Sequence, residues 1–359
     1  MERELYYSKD GTKVMIVSPI AELEPMLEHM DRLEYKHKYM LIIGNGFDLS
    51  LGLPTTYRNF VESCIFKKMY VKHIQEKKKN KISKPTLLDY LYGKKFTERW
   101  YDIEAALLEY VSKRPDGSFV NNVEEDKEEY ELLCKTLIEY LSSLFKTDND
   151  LKQANMMRNT IAGKFLANFT PCDNLIYSFN YTPIHLIINA IIANESLNPI
   201  RVHGEIMEKT IYDGNLHDNS IILGIETDDI SNVAPGYSFL LKSNNPSFRS
   251  SNIAFDLLNS KNVIFFGHSL NQMDFGYFEA FFKMLESTVD IDRQLTIITK
   301  DEPSRVAIFD NLRKMGISVR DIYAHIKVET IRTDNLMDEE SEDFCKYKTL
   351  MREINPYYE

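Results

Sequence analysis

Short runs of apolar residues recur along the chain and predict buried β-strands. The runs occupy residues 39–43, 174–179, 200–203, 221–225, 262–266 and 295–299. Runs that are continuously apolar, rather than alternating, are typical of parallel strands covered on both faces. Helical patterns separate several of the runs, at residues 184–193, 277–285 and 304–315. This alternation predicts an α/β fold with a parallel sheet flanked by helices.

Between the first two predicted strands, apolar residues recur at spacings of three and four, which indicates amphipathic helices. Leu87 with Leu91 and Leu137 with Leu141 are examples. The pattern divides the chain into an N-terminal extension (1–38), an α/β core (39–66 and 168–320), a helical insertion (67–167) and a C-terminal extension (321–359). Within the N-terminal extension, a strand is predicted at residues 13–20 and a helix at residues 20–36.

Composition and charge are those of an ordinary globular protein. Of the 359 residues, 43% are hydrophobic and 27% are charged, which excludes a chain that is disordered throughout. The 54 acidic and 43 basic side chains give a net charge of −11, which disfavours nucleic acid as a partner. The sequence has no apolar run as long as a membrane span, and its charged first residues lack the apolar core of a signal peptide. We therefore expect a soluble, cytoplasmic protein without a membrane partner.

The four cysteines, Cys64, Cys134, Cys172 and Cys345, lie far apart in the sequence. No two of them form a C-x-x-C pair, so a zinc site built from cysteines is not expected. Scattered cysteines are typical of free thiols in a reducing compartment. No metal is predicted.

The segment after the first predicted strand reads GNGFD at residues 44–48 and GLP at residues 52–54. Glycines in a strand-to-helix turn let the backbone approach a ligand, and the N–H groups at a helix start favour phosphate. The glycine spacing does not match the usual dinucleotide-binding fingerprint, so a tight turn without a ligand is the alternative. Asp48 also has two interpretations, because it could bond ribose hydroxyls or cap the following helix.

Three more polar clusters come directly after predicted strands. They read SFNYT at residues 178–182, VHGE at residues 202–205 and GHSLNQMD at residues 267–274. Because open α/β sheets bind ligands at the carboxyl ends of their strands, we expect the four clusters to share one site. The structural alternatives are a turn residue or cap at Asn180, a buried, paired histidine at His203, and helix caps at Ser269 and Asp274.

Taken together, these motifs resemble the AbiH family of bacterial phage abortive-infection proteins. The resemblance extends over about residues 39–315 and includes a tryptophan-to-glutamate element that begins at Trp100 and ends at Glu104. More distantly, the order of the four motifs is similar to the sirtuin-like NAD-binding fold, which is built on a Rossmann-type sheet. The resemblance therefore implies a role in phage defence and NAD as substrate or ligand.

The sirtuin-like resemblance also implies a role for each motif. Gly44 and Gly46 would face the phosphates, and Gly267 with Ser269 would hold the adenosine side. The candidate catalytic residues are Asn180 near the nicotinamide ribose, His203 as base or orienting group, and Asp48. The candidate NAD-binding residues are Gly44, Asn45, Gly46, Phe47, Pro54, Tyr181, Gly204, Gly267, His268, Ser269 and Asp274, to which the AbiH element adds Trp100 and Glu104.

Three functions follow as hypotheses. Sirtuin deacylases carry two zinc-binding cysteine pairs that this chain lacks, whereas defence proteins with sirtuin-like domains commonly hydrolyse NAD. The resemblance therefore implies an NAD hydrolase that cleaves the N-glycosidic bond and depletes NAD on infection. The alternative is a nucleotide-binding sensor or regulatory module of a defence system, without catalysis.

The third hypothesis is a nuclease that uses His203 and His268. Asp213, His217 and Asp218 could suggest a metal site, but their spacing matches no metal-binding pattern. The acidic net charge also weighs against this hypothesis. The partners considered are a phage-derived trigger, a second defence protein and a second copy of the chain.

Overall fold

The computed structural model describes residues 4–9, 12–17, 35–79, 85–94, 103–145, 150–169, 174–192, 199–204, 206, 221–227, 229–245, 248 and 252–358. The chain divides into two units, Met1–Lys36 and His37–Glu359. In the first unit, β1 (Glu4–Lys9) pairs with β2 (Thr12–Val17) in an antiparallel hairpin, and β2 overlaps the strand predicted at residues 13–20. The helix predicted at residues 20–36 lies outside the described residues, apart from its last two.

The second unit is built on a six-stranded parallel sheet, which confirms the predicted α/β fold. Its strands are β3 (His37–Ile43), β4 (Asn174–Ser178), β5 (Ile200–Arg201), β6 (Ser260–Phe266), β7 (Gln294–Thr299) and β8 (Lys327–Arg332). Their order in space is β5-β4-β3-β6-β7-β8. The strand order therefore reverses at β3, whose last residue Ile43 pairs with Ser178 of β4 and Phe266 of β6. Open α/β sheets bind ligands at such a switch point.

Helices cover both faces of this sheet. They are α1 (Asn45–Ser50), α2 (Tyr57–Glu62), α3 (Cys64–Lys79), α4 (Leu87–Lys94), α5 (Ile103–Val111), α6 (Val123–Ser143), α7 (Asp150–Arg158), α8 (Ile161–Asn168), α9 (Ile184–Ile192), α10 (Ile253–Leu258), α11 (Glu279–Ser287), α12 (Glu302–Lys314), α13 (Val319–His325) and α14 (Glu342–Ile354). Among the described helices, none combines the length and apolar composition needed to cross a bilayer.

Alternate side chains of the central strands face two different hydrophobic cores. Leu41 and Ile43 pack on one face with α1, α8, α9 and α14. Met40 and Ile42 pack on the other face with α10 to α13. Because both faces are covered, every position of β3 from Tyr39 to Ile43 is apolar and buried, which explains the continuous run in the sequence.

A third hydrophobic core lies in a helical layer formed by α2 to α6 together with residues 221–227 and 229–241. Ile221, Leu223 and Ile225 are buried in this core. The strand predicted at residues 221–225 is therefore wrong, because the segment is a loop in which Ile225 forms a bridge with Leu241. The run is apolar because it is buried among helices.

The strand β8 lies at the edge of the sheet and was not predicted from the sequence. Its residues read KVETIR, and among them Ile331 is buried while the others are half-buried or exposed. Charged side chains are common on edge strands, where they discourage pairing with another chain. The helix α14 follows, and the hydroxyl group of Ser341 accepts the Phe344 N–H at its start.

Candidate functional site

The loops after β3 and β6 pack backbone against backbone at the carboxyl edge of the sheet. The Gly44 N–H donates to the Phe266 carbonyl oxygen at 3.2 Å, and the Gly46 N–H donates to that of Gly267 at 2.9 Å. A Cβ atom at position 46 would lie 2.7 Å from the Gly267 Cα atom, so the approach requires glycine. The two glycines that the sequence analysis relates to phosphates therefore join the loops, and their N–H groups are paired within the protein.

Asp48 is a buried carboxyl group between the loops after β3 and β4. The Thr182 hydroxyl donates to Asp48 Oδ2 at 2.8 Å, whereas Oδ1 has no hydrogen-bond partner among the described residues. Burial raises the pKa of Asp48 to about 7, and hydrogen bonds from Thr182 and Asn180 act in the opposite direction. The Asn180 amide also donates to the Gly44 carbonyl oxygen at 3.0 Å. These contacts connect Asp48, Asn180 and Gly44 at the switch point of the sheet.

We predict that Asp48→Asn removes a pH dependence of stability. Because burial raises the pKa of Asp48 from 3.8 to about 7, the folded state holds a proton that the unfolded state releases between these values. The stabilisation from Asp48 is thus complete below the unfolded-state pKa and is lost as the pH rises through the folded-state pKa. From about pH 5 to about pH 8, the free energy of unfolding of the variant should rise by about 3 kcal/mol relative to the wild type. Urea unfolding at both pH values measures this difference.

Asp292→Asn is the matched control for this prediction, because it removes a carboxylate that is exposed. Its pH dependence should follow that of the wild type. Identical pH profiles for Asp48→Asn and the wild type would show that Asp48 does not titrate near neutral pH.

His203 lies two residues after the end of β5. The Val202 N–H donates to the Ser178 carbonyl oxygen at 2.9 Å, which extends the pairing of β5 with β4, and Gly204 turns the chain with a φ of +72°. The His203 side chain is 4% exposed, and its ring packs edge-on against Phe179 with centroids 5.3 Å apart. Its Nε2 atom faces charged groups, whereas no described residue hydrogen-bonds to its Nδ1 atom.

Three buried charged side chains meet beside His203. Lys242 Nζ lies 2.8 Å from Glu104 Oε2, 3.3 Å from Asp274 Oδ1 and 3.4 Å from His203 Nε2. His203 Nε2 lies 3.3 Å from the same oxygen of Asp274, and the Tyr181 hydroxyl donates to Glu104 Oε1 at 3.0 Å. Only 1% of the Lys242 side chain is exposed. Charges buried to this degree need close partners, and the arrangement supplies them.

These groups set one another's ionisation. Burial favours the neutral form of Asp274, but the charge of Lys242 and the hydrogen bond from His203 outweigh it and hold the pKa of Asp274 well below its usual range. Burial likewise opposes the charge of Lys242, but Glu104 and Asp274 outweigh it and raise the pKa of Lys242. Burial lowers the pKa of His268 to about 4, against the attraction of Asp274. At neutral pH the site therefore holds an ionised Asp274, a charged Lys242 and a neutral His268.

The loop after β6 fixes the orientation of His268. The Leu270 N–H donates to His268 Nδ1 at 3.0 Å, so the proton of the neutral ring is on Nε2, which lies 3.6 Å from Asp274 Oδ2. Leu270 adopts a φ of +48°, in the left-handed region that branched residues rarely occupy. Backbone conformations of this kind are concentrated at functional sites.

The structure brings most of the sequence-predicted site residues together. The group around the loops after β3 to β6 contains Gly44, Gly46, Asp48, Asn180, Tyr181, His203, Gly204, Gly267, His268 and Asp274, and Glu104 joins it from α5. Among the described residues, no group of three or more His, Cys, Asp or Glu side chains is arranged to hold a metal ion.

Other predicted site residues point elsewhere or are not described. Asn45 is exposed and accepts a hydrogen bond from Thr55, and Pro54 and Ser269 are also exposed. Phe47 is buried in the core beside Phe266. Trp100, Asp213, His217 and Asp218 lie outside the described residues.

Lys242 is a site residue that the sequence analysis missed. It occurs in the stretch LLKSNN at residues 240–245, where a charge directly follows two leucines. This interruption of an apolar segment is the signal that the sequence offered. Most lysines are exposed, so such a signal alone does not predict a buried partner of Glu104 and Asp274.

Comparison with known proteins places the chain in a family. A family model described as bacteriophage abortive infection AbiH matches residues 40–292, which include the four polar clusters, Glu104 and Lys242. No curated protein and no solved structure matches the chain. The comparisons do not confirm the more distant sirtuin-like resemblance, which stays a prediction. Because the model matches more than half of the chain, this protein belongs to the AbiH family, which suggests a role in abortive-infection defence against phage.

Proposed function

We propose that this protein binds NAD at the carboxyl edge of its sheet and hydrolyses the bond between nicotinamide and ribose, which depletes NAD during infection. The observation that carries the proposal is the setting of His203. Its Nε2 atom faces Asp274 and Lys242, and its Nδ1 atom has no hydrogen-bond partner among the described residues. A histidine that a carboxylate orients through one nitrogen, with the other nitrogen open, is suited to general base catalysis.

The proposed reaction requires a base and no general acid. The C1′–N bond of the nicotinamide riboside breaks, and its electron pair passes to the ring nitrogen, so nicotinamide leaves as a neutral molecule. The ribose carbon acquires oxocarbenium character, as in glycoside hydrolysis. A water molecule forms the new C1′–O bond and gives its proton to His203 Nδ1. The products are ADP-ribose, nicotinamide and a proton, which His203 then releases to solvent.

Asn180 and Asp48 would bind the sugar in this proposal. The Asn180 amide N–H bonds the Gly44 carbonyl oxygen, which leaves its own oxygen for a ribose hydroxyl. Asp48 Oδ1, which has no described partner, would accept a second hydroxyl. The N–H groups of Gly44 and Gly46 are already paired within the protein, so they would not bind the ligand. These glycines would instead let the backbone lie close to the ligand, because they have no side chain. The phosphates therefore need donors from other residues.

A nucleotide sensor without catalysis is the second candidate function. The observation that favours it is the burial of His203, whose side chain is only 4% exposed. A catalytic water would need to be enclosed with the ligand, whereas a sensor needs no water beside the histidine. In a sensor, the bound nucleotide would act on the helical layer through Glu104, which contacts Tyr181 and Lys242.

Incubation of the purified protein with NAD, alone and with a lysate of phage-infected cells, tests the proposal. Chromatography should detect nicotinamide and ADP-ribose in equal amounts. Calorimetry on the same samples would measure binding of NAD. Binding without release of nicotinamide would favour the sensor, and the absence of both would refute both candidates.

Plasmid DNA and RNA incubated with Mg²⁺ and the protein should stay intact. The acidic net charge of −11 disfavours the nuclease hypothesis, and no group of side chains arranged to hold a metal ion is present among the described residues.

A further inference from the structure

Lys242 connects the helical layer with the edge of the sheet. Its backbone N–H donates to the Ile225 carbonyl oxygen at 2.9 Å, and Leu240, two residues earlier, is buried in the core of the helical layer. Its ammonium group reaches Glu104 of α5 and Asp274 in the loop after β6. Because only 1% of the side chain is exposed, bulk water cannot take the place of these partners. The position of the charge is therefore set by the protein itself.

Lys242 separates two buried carboxylates. Glu104 and Asp274 each have an oxygen within 3.3 Å of the same ammonium nitrogen. Like charges this close to each other in a buried site resist ionising together. Burial is the largest influence on Asp274 and acts to raise its pKa, so removal of Lys242 should let Asp274 take up a proton. The ammonium group thus keeps Asp274 in the form that only accepts hydrogen bonds.

The state of Asp274 determines which nitrogen of His203 carries the proton. His203 Nε2 lies 3.3 Å from Asp274 Oδ1, and an ionised carboxylate pairs with an N–H. Two of the three N–H donors of the Lys242 ammonium group have carboxylate partners, and the distance from its nitrogen to His203 Nε2, 3.4 Å, is longer than the 3.3 Å from that Nε2 to Asp274. The opposite tautomer would place an N–H at Nδ1, where no described residue accepts it, and unpaired N–H groups are rarer in proteins than unpaired acceptors.

We propose that Lys242 is a positioning residue: by keeping Asp274 an acceptor, its ammonium group fixes His203 with the proton on Nε2 and the lone pair on Nδ1. The catalytic consequence rests on the proposed NAD hydrolysis, in which Nδ1 takes the proton from water. The tautomer itself requires no ligand. Lys242 acts through Asp274 and His203 and needs no contact with the substrate.

Nitrogen-15 NMR of protein labelled at histidine reads the tautomer, because protonated and bare ring nitrogens differ in chemical shift. The His203 signals are identified by their loss in His203→Gln. In the wild type at neutral pH, we expect a protonated Nε2 and a bare Nδ1. Lys242→Met, which keeps the length of the side chain without its charge, should lose the bare Nδ1 signal. Lys242→Arg, which restores the charge, should retain it.

Lys77→Met is the matched control for the methionine variant. Lys77 is another buried lysine, 8% exposed, whose ammonium group pairs with Asp89 and Thr86 in the helical layer. Its replacement also removes a buried ion pair and should lower stability, but the His203 signals should match those of the wild type. A general loosening of the fold would alter His203 in both methionine variants and would count against the proposal.

Two results would overturn the inference: a wild-type His203 with its proton on Nδ1, or an unchanged bare Nδ1 signal in Lys242→Met. If Lys242→Met does not fold, the double variant Glu104→Gln with Lys242→Met removes one charge of each sign and should show the same loss. Whether or not the variants fold, the wild-type spectrum shows which nitrogen of His203 carries the proton.

Release of nicotinamide on the same samples separates this inference from the proposed function. We expect Lys242→Met to lower kcat by about 10²-fold, the lower end for loss of a general base, with little change in KM, and Lys242→Arg to restore most of it. A wild type with the expected tautomer but no release of nicotinamide would refute the proposed hydrolysis and leave the role of Lys242 intact.

Discussion

Replacing His203 with asparagine is expected to lower the rate of nicotinamide release by about 10²–10⁴-fold, the usual contribution of a general base. Asparagine keeps a polar side chain but has no nitrogen that accepts a proton near neutral pH, so the attacking water loses its base. KM should change little, because other groups bind the sugar in the proposed complex. Steady-state chromatography of nicotinamide gives both constants.

His325→Asn is the matched control for this variant. His325 is the last residue of α13 and is partly buried, and its Nδ1 atom lies 3.2 Å from the Leu285 carbonyl oxygen of α11. Its replacement should leave NAD cleavage at the wild-type rate. In infected bacteria, His203→Asn should abolish protection and preserve cellular NAD, whereas His325→Asn should protect.

Two outcomes would contradict the role of His203. Cleavage of NAD at the wild-type rate by His203→Asn would remove this residue from the chemistry. A variant that no longer cleaves NAD but still protects bacteria would separate defence from hydrolysis and favour the sensor.

The fold could be predicted from the sequence at strands that are buried on both faces of the sheet. The run at residues 39–43 is apolar throughout because both faces of β3 are covered by helices. The strand β8 has one neighbouring strand and partly exposed side chains, so its sequence carries charges and gives no such signal. At residues 221–225 the apolar run led to the wrong prediction of a strand. An apolar run indicates that a segment is buried, but not whether it is buried in the sheet or, as here, in the core of the helical layer.

The candidate site could be located but its internal pairing could not. The polar clusters were expected to meet because the carboxyl ends of parallel strands share one edge, and the structure places them there. The contact between Lys242 and Glu104 joins residues that are 138 positions apart, and no local pattern encodes it. The sequence likewise suggested glycine N–H groups open to phosphate, whereas the packing of the loops pairs the Gly46 N–H with Gly267.

Gly267→Ala is expected to be among the most destabilising single substitutions in the chain. A Cβ atom there would lie 2.2 Å from the Phe47 nitrogen and 2.4 Å from the Gly46 carbonyl carbon, and Gly267 has a φ of +66°. The colliding atoms belong to the backbone, so the loops after β3 and β6 must separate. The left-handed conformation and the collision together should lower the free energy of unfolding by at least about 3 kcal/mol, which corresponds to a fall in Tm of at least about 4 °C for a chain of 359 residues.

Two other glycines separate strain from collision in this prediction. Gly52 has a φ of +85° with open space where the alanine methyl group would lie, so Gly52→Ala should cost only about 1 kcal/mol of strain. Gly276 has neither feature, and Gly276→Ala should stay within about 0.5 kcal/mol of the wild type. Thermal unfolding of the three variants should therefore rank Gly267→Ala well below Gly52→Ala, and Gly52→Ala slightly below Gly276→Ala. Both positions have a positive φ, and only the collision with the backbone of Gly46 and Phe47 distinguishes Gly267 from Gly52. Equal Tm values for Gly267→Ala and Gly52→Ala would therefore show that the loops after β3 and β6 do not pack this closely.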